Sequence, residues 1–561
     1  MAATDRRPQR AWTAQGALSY NRRMTRPQQQ QRAAALVAGI LILIFVPIAL
    51  RPLFNLNEGL YAEIPREMLR HNWLIPRLDG MPYLEKPPIF YWLVMLFYKI
   101  FGVGKFAARL PSALAAVGTL WVVFHFGRSR LTTPLGAPVI LFTSIGFYLM
   151  SQLAMFDMTF TFFHTIALLA FYAYMEAPER TGRLYMAAAA SALACLTKGL
   201  IGLVLPGLIV LTYLAVQRRT IPWRPFLVAW IVFLVVALPW HVWMTIHVPH
   251  FFDRYIIQEH FDRFLGTLKP ADYRHPPFYY NLEHLLLGML PWTPFLLAAL
   301  WQRRPYDALD RFLLIWAAVY VVFFTLSKTS SAYYTLPAAP ALALFVGRAL
   351  PDLRGRLTRR LIAAFAVLTT IALIAVPWLP HPDTRIYLTG IGFAYLVFFL
   401  IAGADPHRTW RIRLAALGSL AALAGLFLAY TLTYPSRFAS KGLAEALKPH
   451  LTAHAYVFVT DRYEDLSSFD FYLDRPIYLL NPSQGDLYYG IRHDRKITRL
   501  ITGKRLARLI DHRRVFIAGS RHQKSVWETR GRFRVVAANR HDLVVENILP
   551  KGRRRQRHEV R

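Results

Sequence analysis

Thirteen apolar runs of about 20 residues recur between residues 33 and 434, and they constrain this chain more than any other feature. They cover 33–53, 107–127, 135–155, 158–176, 184–199, 200–217, 225–246, 279–301, 311–327, 332–349, 361–379, 387–403 and 412–434. A helix of about 20 residues crosses a hydrocarbon core of roughly 30 Å. The runs therefore predict a polytopic α-helical membrane protein with 13 transmembrane helices. One more apolar run, 87–102, is short for a crossing. If it lies at the surface and the Arg-rich N-terminus is inside, loops such as those bearing Arg128/Arg130, Arg180/Arg183 and Arg411/Arg413 all fall inside. If it crosses, all of them fall outside, against the positive-inside bias. The favoured orientation puts 54–106, Asp157, the 247–278 loop and everything after Tyr434 on the outer face, with Lys198 at the outer end of its span.

The ends of the chain have other textures. Residues 1–32 form a basic, polar tail expected in the cytosol, and no cleavage site follows them. From 435 to 550 the runs AYVFVT (455–460), PIYLL (476–480), RVFIAG (514–519) and DLVVEN (542–547) read as strands. Segments near 441–448 and 503–511 read as helices, which makes a small outer α/β domain. A second basic tail, 551–561, closes the chain. The net charge of +34 is partly topological and partly concentrated in this last region, where it suits anionic membrane lipids. No nucleic-acid motif accompanies it, so nucleic acid is not an expected partner. A single cysteine, Cys195, excludes an intrachain disulfide. Without a phosphate-binding glycine loop or an HExxH helix, a nucleotide cofactor and a zinc protease are both disfavoured.

Four groups of residues carry chemistry. The loop after the first run holds Asn57, Glu58, Tyr61 and Glu63, with acids that could also serve a helix start. It continues to Tyr83-Leu84-Glu85-Lys86-Pro87-Pro88, where two prolines hold Glu85 and Lys86 on a stiff corner. Lysine there is a suitable point charge for a phosphate, and glutamate an acceptor or metal ligand. Asp157 and Lys198 interrupt apolar runs, where an ionised group costs a few kcal/mol unless it is paired. The long outer loop adds Glu259, His260 and the phosphate clamp Arg263, and Tyr333-Tyr334 follow Ser327-Lys328. His260 with Glu85 is a candidate metal site, the simpler reading being a hydrogen-bonded histidine.

These stretches also carry a likeness. NEGLYAEIPREM, WLIPRLDGMPYLEKPP, FAARLPSAL, Asp157, LTKG (196–199), EHFDRF (259–264), RHPPFYY (274–280), LPW (290–292) and SKTSSAYYTLPAAPAL (327–342) occur in that order. Together they resemble the bacterial lipid A aminoarabinose transferases, members of the glycosyltransferase-C superfamily that includes the protein O-mannosyltransferases. The likeness implies a glycosyltransferase-C fold in the bacterial inner membrane, with the C-terminal domain in the periplasm. It implies a sugar donor linked to undecaprenyl phosphate, lipid A or another anionic glycolipid as acceptor, and 4-amino-4-deoxy-L-arabinose or another amino sugar as the group moved. By resemblance Lys86, Lys198 and Arg263 hold the polyprenyl phosphate, with Tyr61, Tyr83 and Tyr334 at the substrate and Asn57, Glu58 and Asp157 facing the reacting sugar. Glu85 and His260 would hold a divalent metal.

Two positions depart from the family pattern. The family shows Asp-Glu-Gly-Arg-Tyr where this chain has Asn57-Glu58-Gly59-Leu60-Tyr61. An asparagine cannot act as a base, but a phosphate acceptor is already ionised near neutral pH and needs none. Leu60 removes a cation from the neighbourhood of the donor phosphate. The competing readings are a related transferase acting on a protein or another glycan, and a lipid flippase. A flippase predicts inverted repeats and a site at the membrane midplane, whereas the polar residues here gather at one face.

Overall fold

In an apolar medium a backbone must satisfy its own hydrogen bonds, and helices do so within one segment. All thirteen apolar runs are accordingly helical over most of their length in the computed structural model. It describes residues 26–548 apart from 221, 269–275, 302–304, 354, 405–408, 461–462, 481–499, 502 and 530. Most of the 1–32 tail, the 551–561 tail and part of the RHPPFYY stretch lie outside the described residues.

The first apolar run forms α1 (Arg26–Leu50), and the acid-rich loop forms α2 (Asn57–Arg70). A short hairpin, β1 (Arg77–Leu78) with β2 (Met81–Pro82), leads to α3 (Ile89–Phe101), the apolar run that is too short to cross. Then come α4 (Lys105–Gly127), α5 (Gly136–Thr143), α6 (Ile145–Ser151), α7 (Phe156–Glu176), α8 (Gly182–Lys198), α9 (Ile201–Val216) and α10 (Trp223–His247). A π-helix, Phe252–Asp262, precedes α11 (Tyr280–Gly288), α12 (Thr293–Trp301), α13 (Ala308–Leu326), α14 (Ala339–Ala349), α15 (Arg356–Ala375), α16 (Pro382–Ala404) and α17 (Thr409–Thr433).

Seven of these helices are long and apolar enough to cross a membrane, or eight if α11 and α12 count as one span. That is fewer than the 13 uniform crossings expected, for local reasons. The 135–155 run breaks at Ser144, whose extended backbone separates α5 from α6. The 279–301 run bends by 112° between α11 and α12. Helices α8 and α9, at 17 and 16 residues, meet at Gly199, where the backbone turns with φ +92°. The result is a multi-pass bundle in which α7 and α8 pack most extensively. Its interior is filled by large rings such as Trp292, Trp316 and Tyr320.

The α/β domain follows. Its elements are α18 (Lys441–Leu447), β3 (Tyr456–Thr460), α19 (Ser467–Leu473), β4 (Tyr478–Leu480), β5 (Leu500–Ile501), α20 (Gly503–His512), β6 (Val515–Ser520), α21 (Lys524–Glu528), β7 (Phe533–Ala538) and β8 (Asp542–Asn547). The four predicted strands and two predicted helices are present. The sheet order is β5-β4-β3-β6-β8-β7, parallel as far as β6 and antiparallel at β8 and β7. Alternating Val, Phe and Ile fill its core, against which Leu506 and Ile510 of α20 pack.

This domain grips α2 rather than hanging free. Arg66 donates to the Phe471 carbonyl at 3.0 Å and to Asp474 at 2.8 Å. The Tyr472 hydroxyl accepts the Leu53 N–H at 2.7 Å. Asn55 accepts the Ser468 N–H at 3.2 Å and bonds Ser440. Gly59 permits the closest approach, because a Cβ there would lie 2.3 Å from the Ser468 backbone nitrogen. Gly59→Ala must therefore separate α2 from α19. The expected result is a lower melting temperature in detergent and faster proteolysis of the α/β domain; an unchanged proteolysis rate would refute this docking.

Candidate functional site

Two prolines, a helix end and a π-helix assemble one cavity. Pro87 and Pro88 start α3 and hold Glu85 and Lys86 in the chain just before it. Lys198 is the last residue of α8, where a cation complements the helix dipole. Gly199 then takes a left-handed conformation, and a Cβ on it would sit 2.2 Å from His260 Nε2. Glycine is needed there both for the turn and to seat the imidazole.

The π-helix supplies the third wall. Its wider coil puts residues four and five apart on one face, so Arg254, Glu259 and Arg263 align. Glu259 Oε2 lies 2.5 Å from Arg263 Nη1 and 3.6 Å from Lys86 Nζ, while its Oε1 lies 2.9 Å from Arg254 Nη2. Burial alone would push this carboxyl up, but Arg263, Arg254 and Lys86 outweigh it and hold it well below the usual carboxylate range. Arg254 also pairs with Glu85. Lys198 pairs with Asp157, which stands in the first turn of α7. The Lys198 ammonium is ringed by aromatic faces, with Tyr334 at 4.5 Å, Phe156 at 5.5 Å and Phe160 at 5.8 Å. Phe156 also lies 5.7 Å from the Lys86 ammonium.

The cavity they form has a volume of about 310 Å³. Glu85, Lys86, Lys198, Glu259, His260, Arg263 and Tyr334 line its polar end. Leu200, Ile201, Val204, Phe264, Leu265 and Phe323 make up an apolar wall. An anion joined to a hydrocarbon chain matches both ends.

Six of the predicted residues, Glu85, Lys86, Lys198, His260, Arg263 and Tyr334, thus meet around one space. Asp157 backs Lys198. Tyr83 donates to Glu85 at 3.2 Å, one contact from the cavity, and the Tyr61 ring packs at 5.0 Å on Phe156, which in turn lies beside the Lys86 and Lys198 ammonium groups.

Glu58 and Asn57 are placed differently from what their expected role requires. The Glu58 carboxylate receives Arg109 at 2.7 Å on each oxygen and the N–H groups of Phe54 and Ala154. Burial pushes its carboxyl up, but Arg109 and Arg51 prevail and hold it below the ordinary value. It is a tie between segments, with both oxygens engaged. Asn57 opens α2 and does not line the cavity. The metal pair also has its lone pairs engaged. His260 Nδ1 lies 2.6 Å from the Tyr255 carbonyl and so carries the proton, leaving Nε2 to accept the Leu200 N–H at 2.9 Å. Burial lowers this imidazole to about 4, consistent with a neutral ring. Glu85 meets Arg254 on one oxygen and Tyr83 on the other. The two residues, so held, do not fit a divalent metal. Among the described residues no cluster of three His, Cys, Asp or Glu side chains offers an alternative.

Sequence reasoning did not single out Arg254, Phe156 or Arg109 as site or scaffold residues. The Arg254–Glu259 spacing of five is on register only in a π-helix, so a helical-wheel reading separates them.

Residues 85–243 match the family model described as dolichyl-phosphate-mannose-protein mannosyltransferase. The chain is similar to undecaprenyl phosphate-alpha-4-amino-4-deoxy-L-arabinose arabinosyl transferases. It is 28% identical to that of Edwardsiella ictaluri, over 84% of this chain and 89% of the relative. It is 31% identical to that of Yersinia enterocolitica, over 64% of this chain and 70% of the relative. Its fold matches the crystal structure of ArnT from Cupriavidus metallidurans bound to undecaprenyl phosphate. There the TM-score is 0.79 at 24% identity, covering 92% of this chain and 98% of that one. The apo form of the same protein matches with a TM-score of 0.79 at 25% identity, covering 93% and 98%.

Proposed function

We propose that this chain, which belongs to the undecaprenyl phosphate-alpha-4-amino-4-deoxy-L-arabinose arabinosyl transferase family, moves the amino sugar from undecaprenyl phosphate to a phosphate of lipid A. The observation that carries this reading is the meeting of Lys86, Lys198 and Arg263, from three distant stretches, at the head of a cavity with an apolar wall. The transfer takes place at the outer face of the bacterial inner membrane. All thirteen apolar runs count as crossings, the N-terminus is cytoplasmic, and residues 435–550 stand in the periplasm.

The acceptor phosphate oxygen attacks the anomeric carbon. The bond from that carbon to the lipid-phosphate oxygen breaks, and the electron pair leaves with undecaprenyl phosphate. Charge on the departing phosphate is met by Lys86, Arg263 and Lys198, held in place before the reaction begins, which supplies the largest share of catalysis. The apolar wall receives the first isoprene units. Asp157 has one oxygen on Lys198, and its Oδ2 is buried without a hydrogen-bond partner among the described residues. That oxygen can orient the sugar or the acceptor. It also favours a second reading, in which Asp157 acts as base for a hydroxyl acceptor on a protein or another glycan.

Mass spectrometry separates the two. Lipid A from a strain lacking the gene is expected to lose one amino-sugar mass per modified phosphate, regained on complementation. Unchanged lipid A together with a lost protein or glycan adduct would establish the second reading instead.

A further inference from the structure

A pocket built to hold a phosphate contains, among its cations, a buried carboxylate. The Glu259 side chain is 2% exposed, whereas Lys86 and Arg263 beside it are 14% and 17% exposed. Glu259 lines the cavity with Lys86 and Arg263 but is the least exposed of the three, and its carboxylate reaches Lys86, Arg254 and Arg263 at once. Positive groups buried without a counterion would cost several kcal/mol each, so an anion is needed while the pocket is empty. A carboxylate at that position also sets the charge that an entering phosphate meets. The whole head group comprises Lys86, Lys198, Arg254 and Arg263 against Glu85, Asp157 and Glu259, a net charge of +1. A sugar–phosphate–lipid diester carries one negative charge. The phosphate monoester left after transfer carries about 1.5 to 2 negative charges at neutral pH.

We propose that Glu259 is a positioning residue that matches the pocket to a singly charged phosphodiester and, by repelling the second charge of the product monoester, speeds release of the lipid phosphate. This rests on the transferase reading above, and it makes retention of the product, not capture of the donor, the quantity that Glu259 controls. A carboxylate serving only to brace Arg254 and Arg263 would have the opposite effect when neutralised, since loosened cations bind any phosphate less well.

The test compares wild type, E259Q and the charge-keeping E259D in detergent at pH 8, with a short polyprenyl phosphate and its methyl phosphodiester as probes. E259Q is expected to bind the monoester about tenfold more tightly, about 1.4 kcal/mol, while the diester changes less. Its steady-state kcat should fall more than its single-turnover rate, through product retention, and E259D, which keeps the charge, should keep the ratio of monoester to diester binding near that of the wild type. Weaker monoester binding by E259Q, or equal tightening of both probes, would overturn the proposal. Should E259Q fail to fold, the wild-type protein still decides. It is expected to bind the monoester no more tightly than the diester, and a tenfold preference for the monoester would overturn the assignment. If neither probe binds any variant, the transferase reading falls and this inference with it; binding without the predicted discrimination removes the inference alone.

Discussion

Lys198→Ala is expected to reduce sugar transfer about 10²- to 10³-fold, the usual cost of deleting one preorganised group that stabilises developing negative charge. The residue does two things at once. Its ammonium faces the cavity where the phosphate departs, and it neutralises Asp157, which is 1% exposed at the start of α7. Removing it leaves that carboxylate buried without its cation and the phosphate without one of its three. Lys198→Arg should rescue little, because the cage formed by Tyr334, Phe156 and Phe160 closes on a compact ammonium and a planar guanidinium needs a different space. Asp157→Asn in the Lys198→Ala background should cost much less than in wild type, because the partners act as a unit. Purified variants, with melting temperature as a control for folding, can be assayed for transfer from a synthetic polyprenyl-phosphate sugar. A Lys198→Ala protein that retains transfer within about tenfold of wild type would remove Lys198 from the machinery.

What the sequence disclosed depended on how local each signal was. Lys86, Lys198 and Arg263 were legible because a charge at a membrane edge is costly enough to demand a reason. The helices were legible because apolar runs in lipid have few alternatives. Crossing length was not, since the run at Ser144 breaks and the run between α11 and α12 bends, and the two irregularities meet where the Ile145 N–H donates to the Leu290 carbonyl at 3.0 Å, a contact between stretches far apart in sequence. Glu58 looked like a reacting acid because its partner lies 51 residues away, and nothing in NEGLY points to Arg109. His260 looked like a ligand because sequence cannot show that two backbone groups occupy both its nitrogens. Strand β7 was missed because Phe533–Ala538 is half exposed and carries no clean alternation. The misses at the site came from partners distant in sequence or from a departure from α-helical spacing.

The distant partner of Glu58 leads to the second large effect. Arg109 is fully buried and spends its guanidinium on the end of α1 and on the first loop together. It donates to the carbonyls of Ile48 at 3.1 Å, Arg51 at 2.9 Å and Pro52 at 2.6 Å, and to both Glu58 oxygens. Carbonyls at a helix C-terminus have no intrahelical donors, so this side chain satisfies groups that would otherwise be stranded. Arg109→Met keeps the bulk and removes every donor, leaving Glu58 charged and buried. Breaking such a pair from one side costs about 3–5 kcal/mol, and a large drop in melting temperature in detergent is expected. Glu58→Gln should cost less, since Arg109 would keep its three carbonyls. The double replacement Arg109→Met with Glu58→Met should be less damaging than the sum, because neither member of the pair is left without the other. Activity should fall further than stability explains. Glu58 holds the Ala154 N–H at 2.8 Å, three residues before Asp157, so losing the tie frees the start of α7 and with it the carboxylate that pairs with Lys198. If Arg109→Met melts like wild type and transfers sugar normally, α2 is held to the bundle by other contacts, and the route from Arg109 through Glu58 to Asp157 does not exist.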